Sequence, residues 1–334
     1  MQPHPFEASI KKNSSVVVFG GAGFIGTHLL ERLAKAGFEH LISVDIKEPK
    51  RRISGVTYHI HDIRDLSGFE DGLDLVDPVF FNFAAVHTTP GHEPWEYYST
   101  NITGALEVTK LARRCNVTSM VFTSSISVYG PDEMAKDENT TPTPNSDYGH
   151  SKLMSEYVHR DWANEDESRR LVICRPAVVF GLGEGGNFTR LTKMLKKGLI
   201  VYPGRKDTIK SCIYVKDLLD WILTAMTLED CQITFNGSYS NRYTIEQIVE
   251  TFELVAFPKV RSVMVPAAVL RTAATILRPV SASTGLGIHP DRITKLMVST
   301  NILPTWAEKN GFDTKDRLQG ALEDWFKDGQ SSFA

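Results

Sequence analysis

A doubly wound parallel α/β sheet with helices on both faces is the fold this 334-residue sequence predicts, on three observations. The β-branched run from Val16 to Phe19 passes straight into a glycine turn at Gly20, Gly23 and Gly26 and then into an amphipathic helix, Thr27 to Ala36. Short apolar runs of strand length then alternate with helical periods as far as Asn236, the pattern of repeated β–α units. Several of these runs end in small or hydroxyl residues, as at Ala84-Ala85 and Thr123-Ser124-Ser125, and open parallel sheets place their ligand sites at that edge.

The first unit carries the most information. Gly20 permits the tight turn, Gly23 lets the backbone approach a phosphate, and Gly26 lets the helix pack close to its strand. Phe24 and Ile25 open the helix, whose free N–H groups and positive dipole end suit an anion. A second strand, His40 to Val44, ends at Asp45, where the spacing from the glycines fits a carboxylate that accepts from a ribose diol. The combination predicts a bound dinucleotide. Asp45 would repel a 2′-phosphate and so favours NAD, while Lys47, Lys50, Arg51 and Arg52 leave NADP open.

Composition narrows the class. A formal net charge of −3 gives no support for a nucleic-acid surface, and a hydrophobic fraction of 42% is ordinary for a globular chain. The cysteines at 115, 174, 212 and 231 form no Cys-x-x-Cys, so no metal site is expected. No apolar run is long enough to span a membrane, and a cytoplasmic, reduced protein is expected. Residues 1–13 read as a flexible lead-in.

Along the chain, strand Val56 to Ile60 is followed by Asp62-Ile63. That pair could meet an adenine, or Asp62 could cap a helix before Leu66. Strand Val79 to Val86 ends in Ala84 and Ala85, which leave room for a cofactor, and His87 at its exit is either a substrate contact or a solvated loop residue. Asn101, early in helix Asn101 to Ala112, can bridge backbone groups at strand ends. Strand Met120 to Thr123 leads to Ser125. In the helix beginning at Tyr148, the spacing of Tyr148 and Lys152 puts phenol and amine on one face. A cation there would favour the phenolate and bring a proton-transfer group toward working pH.

Strand Arg170 to Val179 carries Pro176 where it leaves the sheet, and Gly181 to Gly186 reads as a hinge. Further elements follow: helix Thr189 to Lys197, strand Leu199 to Tyr202, a return strand Cys212 to Val215 and helix Asp217 to Thr227. Strand Ile233 to Asn236 and helix Thr244 to Phe257 come next. Val263 to Val280 reads as a helix of the smaller domain, with a basic helix resting on a membrane as the alternative. Helices His289 to Thr300 and Thr314 to Phe326 close the chain. The expected domains are 14–180 with 212–236 returning to it, and 181–211 with 237–328.

In this order the pieces resemble the extended short-chain dehydrogenase/reductase family, in its sugar-nucleotide epimerase/dehydratase branch. The resemblance rests on Gly20 to Gly26, Asp62-Ile63, Ala84-Ala85, Thr123 to Gly130, Tyr148 to Lys152 and Arg175-Pro176, and it covers about residues 14 to 328. It implies a Rossmann domain that binds NAD through Gly20, Gly23, Phe24, Ile25, Gly26, Asp45, Asp62, Ile63, Ala84, Ala85, Asn101, Thr123, Tyr148, Lys152 and Pro176. It further implies Ser125, Tyr148 and Lys152 as catalytic groups, and an interleaved C-terminal substrate-binding domain. His87, Ser125, Tyr148, Asn187 and Lys210 would then meet a nucleotide sugar, with Arg292 a weaker phosphate contact.

Ile126 and Ser127 stand where dehydratases of this branch carry acids, which disfavours water elimination. The implied reaction is epimerisation of a nucleotide- or polyprenyl-diphosphate-linked hexose at C4 through a 4-keto sugar. The alternatives are an NAD(P)H-dependent 4-keto sugar reductase and a non-catalytic nucleotide sensor. A homodimer is implied, through helices Asn101 to Cys115 and Tyr148 to Ala163.

Overall fold

The structure is a computed structural model that describes residues 6, 10–88, 91–266, 268–270, 272 and 296–333. In chain order its strands are β1 (Ser15–Phe19), β2 (His40–Asp45), β3 (Val56–Ile60), β4 (Val79–Asn82), β5 (Ser119–Thr123), β6 (Asp132–Lys136), β7 (Arg170–Pro176), β8 (Val178–Phe180), β9 (Leu199–Pro203), β10 (Cys212–Tyr214), β11 (Gln232–Gly237), β12 (Arg261–Val265) and β13 (Thr300–Ile302). The helices used below are α1 (Phe24–Lys35), α2 (Pro94–Arg114), α3 (Asp147–Asn164), α4 (Asn187–Lys196), α5 (Val215–Ala225), α6 (Ile245–Val255), α7 (Thr305–Lys309) and α8 (Leu318–Asp328).

The chain divides into two compact units: Met1–Gly130, Thr140–Pro176 and Val215–Gly237 form the first, and Pro131–Asn139, Ala177–Tyr214 and Ser238–Ala334 the second. The first is built on a seven-stranded sheet in the order β11-β7-β5-β4-β1-β2-β3, every neighbouring pair parallel. The strand order reverses between β1 and β4, which opens a crevice at their carboxyl ends. All of β1 is buried, as a parallel strand covered on both faces must be. Phe19, Val44, Phe80, Phe122, Ile173 and Trp162 share one core, each side chain worth about 1.5–3 kcal/mol by burial. Helix α1 adds Leu29, Leu30 and Leu33, its inner face.

The second unit holds three two-stranded sheets among the described residues, β10-β8, β12-β9 and β13-β6. Its apolar centre is aromatic, with Phe180 stacked on Phe188 at 4.5 Å and Phe252 edge-on to Phe333 at 5.0 Å.

Several elements differ from the sequence reading. Cys212–Tyr214 does not return to the large sheet but pairs with β8, so 177–180 and 212–214 belong to the second unit, as do 131–139. Only β11 rejoins the sheet, beside β7. The expected helix Val263 to Val280 begins instead as strand β12, where alternating valines gain a ladder on β9; residues 267, 271 and 273–280 lie outside the described residues. Residues 289–295, including Arg292, lie outside them too, and Thr300 opens β13 rather than closing a helix. Within the lead-in, Phe6 is fully buried against Phe38 and Phe81, so that part is anchored to the core.

Candidate active site

At the crevice the backbone leaves no room for side chains. Gly20 has φ +78° and donates its N–H to the Val44 carbonyl at 2.8 Å, and a Cβ on it would lie 2.7 Å from the Ala84 amide nitrogen. A Cβ on Gly26 would run into the Gly20 carbonyl oxygen. Gly23 is the exposed N-cap of α1, and no side chain caps that helix, so its first N–H groups are left for an anion. Phe24 and Ile25 are half-buried in its first turn.

The Asp45 carboxylate accepts from the Ala22 amide at 3.2 Å and the Lys47 amide at 3.1 Å, so the acidic residue also anchors the glycine loop. Ala84 and Ala85 are half-buried at the exit of β4. These features fit a dinucleotide: a tight loop, a helix start without a cap and a carboxylate beside it.

Other expected cofactor contacts hold the scaffold. Asp62 starts no helix; it accepts from the Arg64 amide at 2.9 Å and pairs with the Arg64 guanidinium, which holds its carboxyl below the usual range. Ile63 is buried in the core, against Gly104. Asn101 accepts from the Val86 amide (2.9 Å) and donates to the Val86 carbonyl (3.1 Å) and the Ser151 hydroxyl (2.9 Å), tying the exit of β4 to α2 and α3. The Thr123 hydroxyl donates to the Asn82 carbonyl at 3.4 Å, and Pro176 is buried beside Gly237.

Ser125 and Tyr148 come together at the next strand end, with Lys152 one turn further along α3. Ser125 caps the short 3-10 turn Ile126–Tyr129 by accepting from the Ser127 amide at 3.1 Å. Its hydroxyl pairs with the Ser127 hydroxyl at 3.1 Å and lies close enough to the Tyr148 phenol to act on its pKa. Ser146 caps α3 by accepting from the Gly149 amide, and Gly149 lies so close to the Ser127 carbonyl that any side chain there would push α3 away from the 126–129 turn. Lys152 is only 2% exposed, with its ammonium 4.2 Å from the centre of the Phe122 ring.

The electrostatics differ from the sequence expectation. Burial raises the Tyr148 pKa to about 12 despite the Ser125 hydrogen bond. Burial likewise pushes Lys152 down to about 7, opposed by Glu156. Desolvation outweighs charge pairing in this dry corner, so the phenol is neutral here.

Lys152 is backed by a polar cluster that the spacing argument missed. Glu156, one turn further along α3, takes two parallel bonds from Arg175, at 2.8 and 2.6 Å. Arg175 also donates to the Tyr129 phenol at 2.7 Å, and that phenol donates to Asn236 at 3.0 Å. On the other side His159 lies 3.2 Å from the Asn82 amide and stacks on Phe122 at 4.1 Å; burial holds its pKa down to about 3. A signal was available: Glu156 continues the Tyr148–Lys152 helix face, and Arg175 follows the apolar run Leu171 to Cys174 inside its strand.

His87 is exposed at the exit of β4, and crowding of its ring, with Lys152 adding to it, lowers its pKa. Asn187 and Lys210 belong to the second unit. Asn187 is exposed at the first position of α4, whose N-terminus Glu184 closes by accepting from the Thr189 amide at 2.9 Å. Lys210 donates to the Val298 carbonyl at 2.6 Å, and burial lowers its pKa to about 8. Among the described residues, no cluster of His, Cys, Asp and Glu could hold a metal ion, and no helix is long and apolar enough to cross a membrane.

Residues 16–236 match the family model described as the NAD dependent epimerase/dehydratase family. The chain belongs to that family. It is 34% identical over 211 residues to N-acetyl-alpha-D-glucosaminyl-diphospho-ditrans,octacis-undecaprenol 4-epimerase of Escherichia coli O157:H7, an alignment covering 63% of this chain and 62% of that relative. It is 27% identical over 284 residues to UDP-glucose 4-epimerase of Erwinia amylovora, covering 72% and 82%. Among solved structures, UDP-glucose 4-epimerase of Thermus thermophilus in complex with NAD superposes with a TM-score of 0.74 at 18% identity, over 95% of this chain and 99% of that one. The last likeness establishes the fold.

Proposed function

We propose that this family member is an NAD-dependent epimerase that inverts C4 of a hexose carried on a diphosphate, with Ser125, Tyr148 and Lys152 as its catalytic groups. The observation that carries the reading is the meeting of the Ser125 hydroxyl and the Tyr148 phenol one helical turn from buried Lys152, on the sheet edge that also bears the glycine loop. Its relatives' names, one with a polyprenyl-diphosphate sugar and others with UDP-sugars, support the substrate class.

Gly20, Gly23 and the start of α1 would hold the NAD diphosphate, and Asp45 a ribose. NAD, when bound, supplies the acceptor and later the donor of the C4 hydride. Tyr148 removes the proton from the C4 hydroxyl and returns it, while Ser125 hydrogen-bonds the same oxygen as its charge changes. Lys152 supplies the positive charge that lets a buried phenol ionise, and the Glu156–Arg175 pair fixes where that amine sits. Asn187 and Lys210 are proposed contacts to the sugar and diphosphate, and His87 a contact at the rim. Exposed Leu106 on α2 and Met154 and Tyr157 on α3 support a homodimer through those helices. A cytoplasmic location fits chemistry on activated sugars.

The test is to release and identify the cofactor from purified protein, then follow UDP-glucose and UDP-N-acetylglucosamine by NMR without added nucleotide. C4 inversion with no net redox change is the expected result; one reduced cofactor consumed per product would replace the epimerase by a reductase.

A further inference from the structure

The second unit carries an exposed face whose chemistry the reaction does not use. No Asp or Glu occurs between Glu184 and Asp207, or between Glu253 and Asp291, although the whole chain is net acidic. The fold brings these two acid-free segments together as β9 and β12, in the register Leu199 to Arg261, Val201 to Val263 and Pro203 to Val265. Register partners in a parallel pair point to the same side. Its outer part is open: Leu199 is 45% and Val263 46% exposed and Val201 is half-buried, while on the reverse side Ile200 and Tyr202 of β9 are buried and the edge strand β12 also exposes Met264.

In sequence Lys193, Lys196 and Lys197 lead into β9, Lys259 leads into β12 and Arg261 opens it; all five are exposed, as are Met194 and Val269. The nearby acids lie elsewhere: Glu246, Glu250 and Glu253 act on Tyr202 on the buried side, and Glu253 is engaged by the Val260 amide.

From this geometry we propose that the β9–β12 face docks on an anionic lipid surface, the apolar strip meeting the acyl boundary and the lysines meeting the headgroups. Charge complementarity decides the occupant. An acidic macromolecule would match the lysines but leave Leu199, Val263, Met264 and Val269 in water, and an apolar partner would leave the lysines unmatched; a bilayer surface serves both. Resting on the epimerase reading, the inference also selects the carrier: an enzyme held there acts on a hexose linked through diphosphate to a membrane-embedded polyprenol.

The experiment is flotation of the full chain with phosphatidylcholine vesicles, with and without phosphatidylglycerol. The wild type should float with the anionic vesicles alone and be released by salt. Lys196→Glu with Lys197→Glu should weaken binding about thirtyfold or more, at about fivefold per basic residue, and Val263→Asp should weaken it at unchanged charge on the lysines. Equal flotation of all variants, or none by the wild type, overturns the docking. A change from dimer to monomer in Val263→Asp, with flotation unaltered, would assign the face to a second copy and overturn it too.

Rates separate this inference from the epimerase reading. The lysine variants should keep their rate on UDP-sugar in solution and lose rate on polyprenyl-diphosphate sugar in anionic vesicles. Equal rates on the latter would overturn the carrier assignment. Flotation of a chain that epimerises nothing would overturn the function and the carrier but leave the docking standing.

Discussion

Lys152 and Lys196 carry the same side chain in opposite settings. Lys152 lies in α3 of the first unit, 2% exposed, over the Phe122 ring and within the field of Glu156, and burial lowers its pKa to about 7. Lys196, at the end of α4 in the second unit, is exposed beside Lys193 and Lys197. Burial makes the first amine individually consequential, because every neighbour that solvates it has a place in the structure. The second contributes a share of a field, and its neighbours are interchangeable with it. On the proposed reading the buried amine serves the chemistry and the exposed ones serve surface recognition.

The contrast can be broken most sharply at Lys152 itself. Lys152→Met should cost about 10²- to 10⁴-fold in turnover, the range for loss of acid–base assistance, whereas Lys196→Met should leave turnover on a soluble UDP-sugar unchanged. Comparable losses at both positions, measured as kcat, would remove the distinction.

Next in size is the support behind the buried amine. Glu156→Ala leaves the Arg175 guanidinium buried without its carboxylate and should destabilise the first unit by about 3–5 kcal/mol in urea unfolding. Lys196→Glu should move stability by no more than about 0.5 kcal/mol. The double variant Glu156→Met with Arg175→Met should regain part of the loss, since the guanidinium is removed with its carboxylate while Lys152 and Arg160 still lose the charge of Glu156.

The smallest expected effect is the pH dependence. The folded-state pKa of Lys152, about 7, lies below its ordinary value of 10.5, so between these limits the unfolded chain holds more protons than the folded one. Stability therefore rises with pH through that window, and below it the stabilisation is lost. Between pH 7 and 9 the wild type should gain about 2 kcal/mol relative to Lys152→Met, read from paired denaturation curves. Identical slopes would mean that the amine is solvated.

These two settings also explain what the sequence could tell. Gly20, Gly23, Gly26 and Asp45 were legible because a tight loop at a strand end admits few residue types, and Tyr148 and Lys152 because a helix fixes their spacing. Their ionisation was not legible: the expected phenolate depends on how dry the pocket is, and burial of Tyr148 and Lys152 reverses the prediction made from charge alone. The Arg175–Glu156 pair joins a strand to a helix across 19 residues, a contact that local periodicity cannot announce.

In the second unit, β8, β10 and β13 are three residues long, too short for any period to register, and their partners are distant in sequence. The end of β12, Val263–Val265, was hidden at the start of an apolar run that suits helix or strand equally. Pairing with β9 decided it.

The central claim is tested most directly by Tyr148→Phe, assayed at once for retained NAD and for C4 inversion of UDP-glucose and of a polyprenyl-diphosphate sugar. The account predicts cofactor retained as in the wild type and inversion lost by at least about a hundredfold. Inversion at the wild-type rate in that variant would contradict it.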